Sequence, residues 1–144
     1  MSHESMVKEA IAVIWNRAEL DRLGEFYATD FVSHQPPGGI KWEPGHAGLH
    51  KLITATKRQF PDYRETIEDC VASGDRVFLR LTNRGTDLGG TRSRPPTGRT
   101  FEVADSMLVR IEHGKIAEQW GLIDLYSMYV QLGLIEPVGA RKQG

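Results

Sequence analysis

Cysteine is almost missing from this chain: Cys70 is the only one in 144 residues, so no disulfide closes within it. Net charge is almost missing too. The 18 Lys and Arg nearly balance 19 Asp and Glu, leaving −1, which argues against a protein built to coat nucleic acid or an anionic membrane. No apolar run approaches the roughly 20 residues of a membrane-crossing helix. The opening MSHESMVKEA lacks the basic and apolar regions of a secretory signal. These absences set the expectation of a cytoplasmic protein with neither a membrane nor a nucleic acid as partner. GxGxxG, P-loop, GxSxG and HExxH motifs are absent as well, which removes the commonest dinucleotide, nucleotide, serine-hydrolase and zinc-protease signatures.

What is present is an ordinary globular composition, 40% hydrophobic and 26% charged, with the length of one domain spanning 1–144 and a frayed tail from about residue 136. Val7, Ile11, Ile14 and Trp15 recur at helical spacing, with Ser5 as a plausible cap. A shorter helix follows over Asp21–Tyr27, then the extended FVSHQ. Leu49, Leu52 and Ile53 mark a third helix between Gly45 and Pro61. From Asp62 the period changes to two. Tyr63, Glu65, Ile67 and Val71 form one alternating row, and Val77, Leu79 and Leu81 another. Two further strands run over about Thr100–Ile111 and Lys115–Leu122, joined at His113-Gly114, and DLYSMYVQLG closes as a helix. Helices first and antiparallel strands afterwards predict an α+β domain with helices against one curved sheet.

The most informative polar placement is Asp105 in FEVADSMLVRI. It shares a face with Phe101, Val103, Met107, Val109 and Ile111. A carboxylate in an apolar row has its charged form disfavoured, and a raised pKa suits acid–base chemistry near neutral pH. Accepting hydrogen bonds from a loop, or pairing with an arginine, would equally satisfy it. A two-residue turn at His113-Gly114 sets Met107 opposite Trp120, Val109 opposite Glu118 and Asp105 opposite Leu122, gathering Asp105, Met107, Trp120 and Glu118 on one surface. A three-residue turn brings Gly121 opposite Asp105 instead.

Other residues carry weaker signals. His34 sits between an extended segment and the QPPGG loop, where pocket mouths form and a histidine can shuttle protons. Asp124 stands where a helix cap belongs. Trp42 lies in a Gly/Pro loop able to fold over a cavity or pack on a second subunit, and Trp15 faces inward from the first helix. His46 and His50 have metal-ligand spacing, yet no carboxylate pattern accompanies them, so no metal site is expected. Arg84, Arg92, Arg94 and Arg99 surround the loop GTDLGGTRSRPPTG, a solvated cluster or a reception for an anion.

The run FPDYRETIEDCVASGDRVFLRLTNRGTDLGG, then PPTGRTFEV, then RIEHGKIAEQWGLIDLYSMYVQLG resembles the SnoaL-like polyketide cyclases of the nuclear transport factor 2-like, or cystatin-like, superfamily. The resemblance implies a cone-shaped α+β barrel, in which a strongly bent antiparallel sheet wraps N-terminal helices around a deep apolar cavity. It also implies homodimers packing through the sheet, and ring closure by intramolecular aldol condensation with an aspartate as acid and base and no metal or organic cofactor. His34, Glu118, Trp120 and Asp124 match positions of the family pattern. Asp87 and Met107 stand where relatives often carry histidine, and Gly121 replaces an acidic residue of some members.

The expectation is therefore a cyclase or isomerase acting on a small hydrophobic carbonyl compound. Asp105 or Asp124 serves as base, with His34 as partner and Trp120, Met107, Trp15, Glu118 and Trp42 around the substrate. A non-catalytic binder in the same cavity and an epoxide or ester hydrolase are the alternatives.

Overall fold

The structure, a computed structural model, describes residues 1–37 and 39–139; the last five residues of the expected tail lie outside them. Helix α1 (His3–Ala10) starts at Ser2, whose hydroxyl accepts from the Ser5 N–H, so Ser2 rather than Ser5 is the cap. It continues as a π turn over Ile11–Asn16, burying Ile11, Val13, Ile14 and Trp15. A 3-10 turn over Leu20–Arg22 leads into the short α2 (Leu23–Phe26). Strand β1 (Tyr27–His34) and a loop then reach α3 (Gly45–Gln59), whose last turn carries Lys57 and Arg58 against its carbonyl dipole.

The remaining chain is mostly sheet: β2 (Arg64–Ser73), β3 (Arg76–Thr86), β4 (Thr100–Glu112) and β5 (Lys115–Ile123), followed by α4 (Leu125–Gln131). The strand order is β1-β5-β4-β3-β2, with β1 parallel to β5 and every other pairing antiparallel. The sheet curves around the helices, which cover one face. Strand alternation explains why. Val77, Leu79 and Leu81 of β3 and Phe101, Val109 and Ile111 of β4 point inward, where they meet Val7, Ile14, Leu49 and Ile53. The intervening Arg76, Phe78 and Arg80 point outward. No helix among the described residues is long and apolar enough to cross a membrane.

The β4–β5 hairpin corrects the register expected from the sequence. His113 and Gly114 do form a two-residue turn, both with positive φ (50° and 74°), and Glu112 faces Lys115. Ile111 then faces Ile116, but Arg110 faces Glu118: Ala117 is an extra residue on β5. Ile116 and Ala117 are both buried side by side, the mark of a bulge. Beyond it every side chain of β5 changes face. Met107 therefore lies opposite Gly121, Leu108 opposite Trp120 and Asp105 opposite Ile123. Gln119 turns inward while Glu118 and Trp120 turn out.

Deleting Ala117 would remove the extra residue and leave Ile116 inward, Glu118 outward and Gln119 inward by simple alternation, with Arg110 still opposite Glu118. The deletion variant is expected to retain a cooperative thermal transition by circular dichroism; loss of that transition would show that the bulge itself, beyond the register it sets, is needed for the fold.

Candidate active site

Between the sheet, α3 and α4 lies a cavity of about 490 Å³. Its walls are largely apolar: Trp15, Leu52 and Phe60 on the helix side, Phe101 and Met107 on the sheet, Met128 and Leu132 on α4. The loop after β1 folds over one side, bringing Trp42 against Trp15 with ring centroids 5.7 Å apart. Both tryptophans and Met107 thus stand at the cavity as the sequence suggests.

A row of polar groups crosses the sheet beneath this apolar wall. Glu65 of β2 faces Asn83 of β3 in register, and Asp105 of β4 sits diagonally beyond. All three line the cavity and are buried, Glu65 to 4%, Asn83 to 1% and Asp105 to 8% exposure. Tyr63 donates its hydroxyl to Glu65 Oε2 at 2.6 Å. Asn83 Nδ2 donates to Asp105 Oδ2 at 2.9 Å. Among the described residues, Glu65 Oε1 and Asn83 Oδ1 have no hydrogen-bond partner. Two orphaned, buried acceptors in one row are unusual in a folded protein, where such atoms are nearly always satisfied.

Burial and charge act on these groups in a definite order. Burial pushes the Asp105 carboxyl up, opposed by hydrogen bonds from Asn83 and the Ser106 backbone. Burial also raises Glu65, the Asp105 charge raises it further, and the Tyr63 bond and the Lys57 ammonium only partly offset this. The result is about 8. Two carboxyls in one apolar space do not both ionise readily, and Asp105, better hydrogen-bonded, ionises first. The Tyr63 phenol, buried beside Glu65, is raised well above its usual range and stays a donor.

A second buried carboxylate works differently. Asp87, fully buried, accepts from Arg94 Nη1, from Gly90 N–H and from both the N–H and hydroxyl of Thr97. Burial alone would raise its carboxyl, but these donors outweigh it and hold it below the usual value. It pins the loop between β3 and β4, and that loop places Thr91 and Arg94 at the cavity wall. Asp87→Ala is expected to cost about 2–4 kcal/mol, since it removes the carboxylate partner of Arg94 and leaves three further donors unpaired; urea unfolding reads the loss.

The structure separates the other expected site residues from this cavity. His34, Glu118 and Trp120 cluster on the outer face of the sheet. His34 Nε2 lies 2.6 Å from Glu118 Oε2, Arg110 bonds Glu118 Oε1 at 3.0 Å, and the His34 and Trp120 rings stack at 5.2 Å. The His34 and Arg110 bonds hold the Glu118 carboxyl below its usual value. Asp124 is exposed and caps α4, accepting from Ser127 N–H and Oγ–H. Its carboxyl is lowered by those bonds. His46 bonds the Tyr27 carbonyl from α3. Glu65, Asn83 and Gln119 are cavity residues that sequence reasoning passes over. Glu65 carried the same signal as Asp105, a carboxyl alternating with Tyr63 and Ile67 in an apolar row; Gln119 was hidden by the bulge.

The five-stranded sheet curved over its helices defines a nuclear transport factor 2-like fold. The TsrD structure from Streptomyces laurentii shares it, with a TM-score of 0.79 at 23% identity over 94% of this chain and 100% of that one. The model of the SnoaL-like polyketide cyclase family matches residues 5–132, and the chain belongs to that family. It is 28% identical over 124 residues to the aklanonic acid methyl ester cyclase DnrD of Streptomyces peucetius, covering 83% of each. Wild-type IdmH of Streptomyces antibioticus is 32% identical, with a TM-score of 0.78 over 92% of this chain and 99% of that one.

The Glu65 carboxyl links stability to pH. Its ordinary value of 4.5 rises to about 8 in the fold. Between those values the folded protein keeps a proton that the unfolded chain has released, so stability is highest below the window and falls as pH rises through it. The loss is at most about 1.4 kcal/mol per pH unit. Urea unfolding at about pH 5.5 and about pH 8.5 is expected to show a decline in the wild type that Glu65→Gln reduces; equal declines would mean that Glu65 is ionised throughout.

Proposed function

We propose that this protein closes a ring in, or isomerises, a small hydrophobic polyketide-like ester by removing a proton from a carbon next to a carbonyl, with Asp105 as the base. The family supports a cyclase acting on polyketides. The observation that carries the mechanism is an ionisable aspartate set in the wall of an apolar cavity of about 490 Å³, a volume suited to a compact multi-ring ligand. Raised by burial, Asp105 is a stronger base than a solvated carboxylate, and hydrogen bonds from Asn83 and the Ser106 backbone orient it. Trp15, Trp42 and Met107 shape the space around the substrate. An ester like that named for the Streptomyces peucetius relative fits this reading.

Asp105→Asn keeps the shape and the Asn83 contact but removes the base. It is expected to lower kcat by about 10²–10⁴ while substrate affinity, read by fluorescence quenching, changes little. Unchanged turnover would end the assignment of Asp105. A non-catalytic binder is the second reading, and one observation favours it: Gly121 lines the cavity without a side chain, and the atoms nearest its missing Cβ are the neutral amides of Gln35 and Gln119. A binder would show affinity without turnover.

The same reading includes a homodimer joined through the outer sheet face. Val32, Phe78 and Leu122 are exposed there, at 40%, 40% and 63%, beside the Trp120 stack. Phe78→Glu is expected to shift sedimentation to the monomer with the fold intact; a wild type that sediments as a monomer would overturn this part.

A further inference from the structure

The proton chemistry proposed for Asp105 leaves one buried acid unused, and a base alone does not complete an aldol closure, because the enolate oxygen needs a donor. Glu65 lies on the same cavity face as Asp105, two strands away, with Asn83 between them. Its strand is fixed from both sides: Asn16 Oδ1 accepts from the Glu65 N–H at 2.7 Å, and Asn16 Nδ2 donates to its carbonyl at 2.9 Å. Tyr63 occupies Oε2. That leaves Oε1, buried, unpartnered and at the cavity wall. If ionised, Oε1 would be a bare buried anion beside a second carboxylate, an arrangement that is strongly disfavoured. Protonated, it is a hydrogen-bond donor that no acceptor among the described residues engages; Asn83 Oδ1, on the facing residue of β3, is likewise unpartnered.

We propose that Glu65 is the acid of the site, donating from Oε1 to the carbonyl oxygen of the substrate while Asp105 takes the adjacent carbon-bound proton. Each step balances. The C–H pair becomes the C=C of an enol, the carbonyl π pair moves to oxygen, and that oxygen takes the Glu65 proton as Asp105 gains one. The enol carbon then attacks a second carbonyl, whose oxygen receives the proton from Asp105. The first carbonyl re-forms and returns its proton to Glu65. Both carboxyls end as they began. The assignment rests on the cyclisation reading only for the steps after proton transfer; the donor itself recognises any ketone or ester carbonyl that reaches it.

Four charged or titratable groups surround Glu65. Tyr63 donates to it from the same strand, and Asp105 on β4 opposes its ionisation. Lys57 of α3 favours ionisation, but its ammonium is bonded to the carbonyls of Asn16 and Tyr63. Tyr27 of β1 feels the Glu65 charge, and its phenol is itself pushed beyond its usual range while receiving the Trp15 N–H.

Binding of 1-tetralone, a bicyclic ketone without an ionisable group, tests this by calorimetry across about pH 6.5 to about 9.5. Tetralin, which lacks the carbonyl, serves as control. The expected result is tetralone affinity that falls about tenfold per pH unit once Glu65 ionises above about 8, with tetralin unchanged. Glu65→Gln, whose amide still donates, is expected to bind tetralone without that pH dependence. Tetralone affinity in the wild type that is flat in pH, or that falls only as much as tetralin, overturns the proposal without any need for a folded variant. The measurement involves no turnover. Loss of the Asp105 assignment through unchanged kcat in Asp105→Asn is thus separate from loss of this one.

Discussion

Two carboxyl groups share an apolar space that can stabilise the charge of one of them, and the chemistry of the site depends on how the fold divides that charge. Asp105 holds a hydrogen bond from Asn83, so its anion is the better supported. Glu65 has a phenolic donor on one oxygen and none on the other, and it faces the field of Asp105. In the mechanism proposed above, this asymmetric hydrogen bonding makes one group the base and keeps the other an acid at the same pH, the general way in which a pair of titratable groups acquires two roles. The apolar lining strengthens both effects by excluding the water that would otherwise level them.

The architecture presents that pair. Three adjacent strands carry Glu65 and Asn83 in register and Asp105 on the diagonal, two residues along β4, so their spacing is set by the sheet ladder instead of by loop conformation. The bulge at Ala117 then decides what the fourth strand contributes. By turning Gln119 and Gly121 inward, it widens the cavity floor; by turning Glu118 and Trp120 outward, it builds the His34 cluster on the opposite face. Asp87 plays a comparable part at the rim. Its four donors convert a Pro/Gly-rich connection into a fixed wall that holds Arg94 beside the cavity.

Much of the fold was legible in the sequence because it depends on period and punctuation. The helical period of Val7, Ile11 and Ile14, the alternation of Val77, Leu79 and Leu81, and the His113-Gly114 turn each correspond to an element found. Asp105 was legible for the same reason, as a carboxyl in an apolar row. The parallel pairing of β1 with β5 was not, since nothing local in FVSHQ says which edge it joins. Nor was the bulge: one extra residue reverses a strand's faces, and the only hint is the apolar pair Ile116-Ala117. That single residue moved Trp120 and Glu118 from the expected pocket to the outer face. Glu65 was legible in principle, yet a lone Glu on the strand after the third helix draws less notice than an Asp midway along the most apolar strand.

The division of charge between the two carboxyls is open to direct observation. Carboxyl carbon NMR of the wild type, with the two resonances assigned through Glu65→Gln and Asp105→Asn, tracks each group across the titration. Two separate steps are predicted, Asp105 losing its proton first and Glu65 only near 8. If Glu65 instead titrates near the ordinary 4.5, its carboxyl is ionised at neutral pH, and the acid–base pair at the centre of the site does not exist.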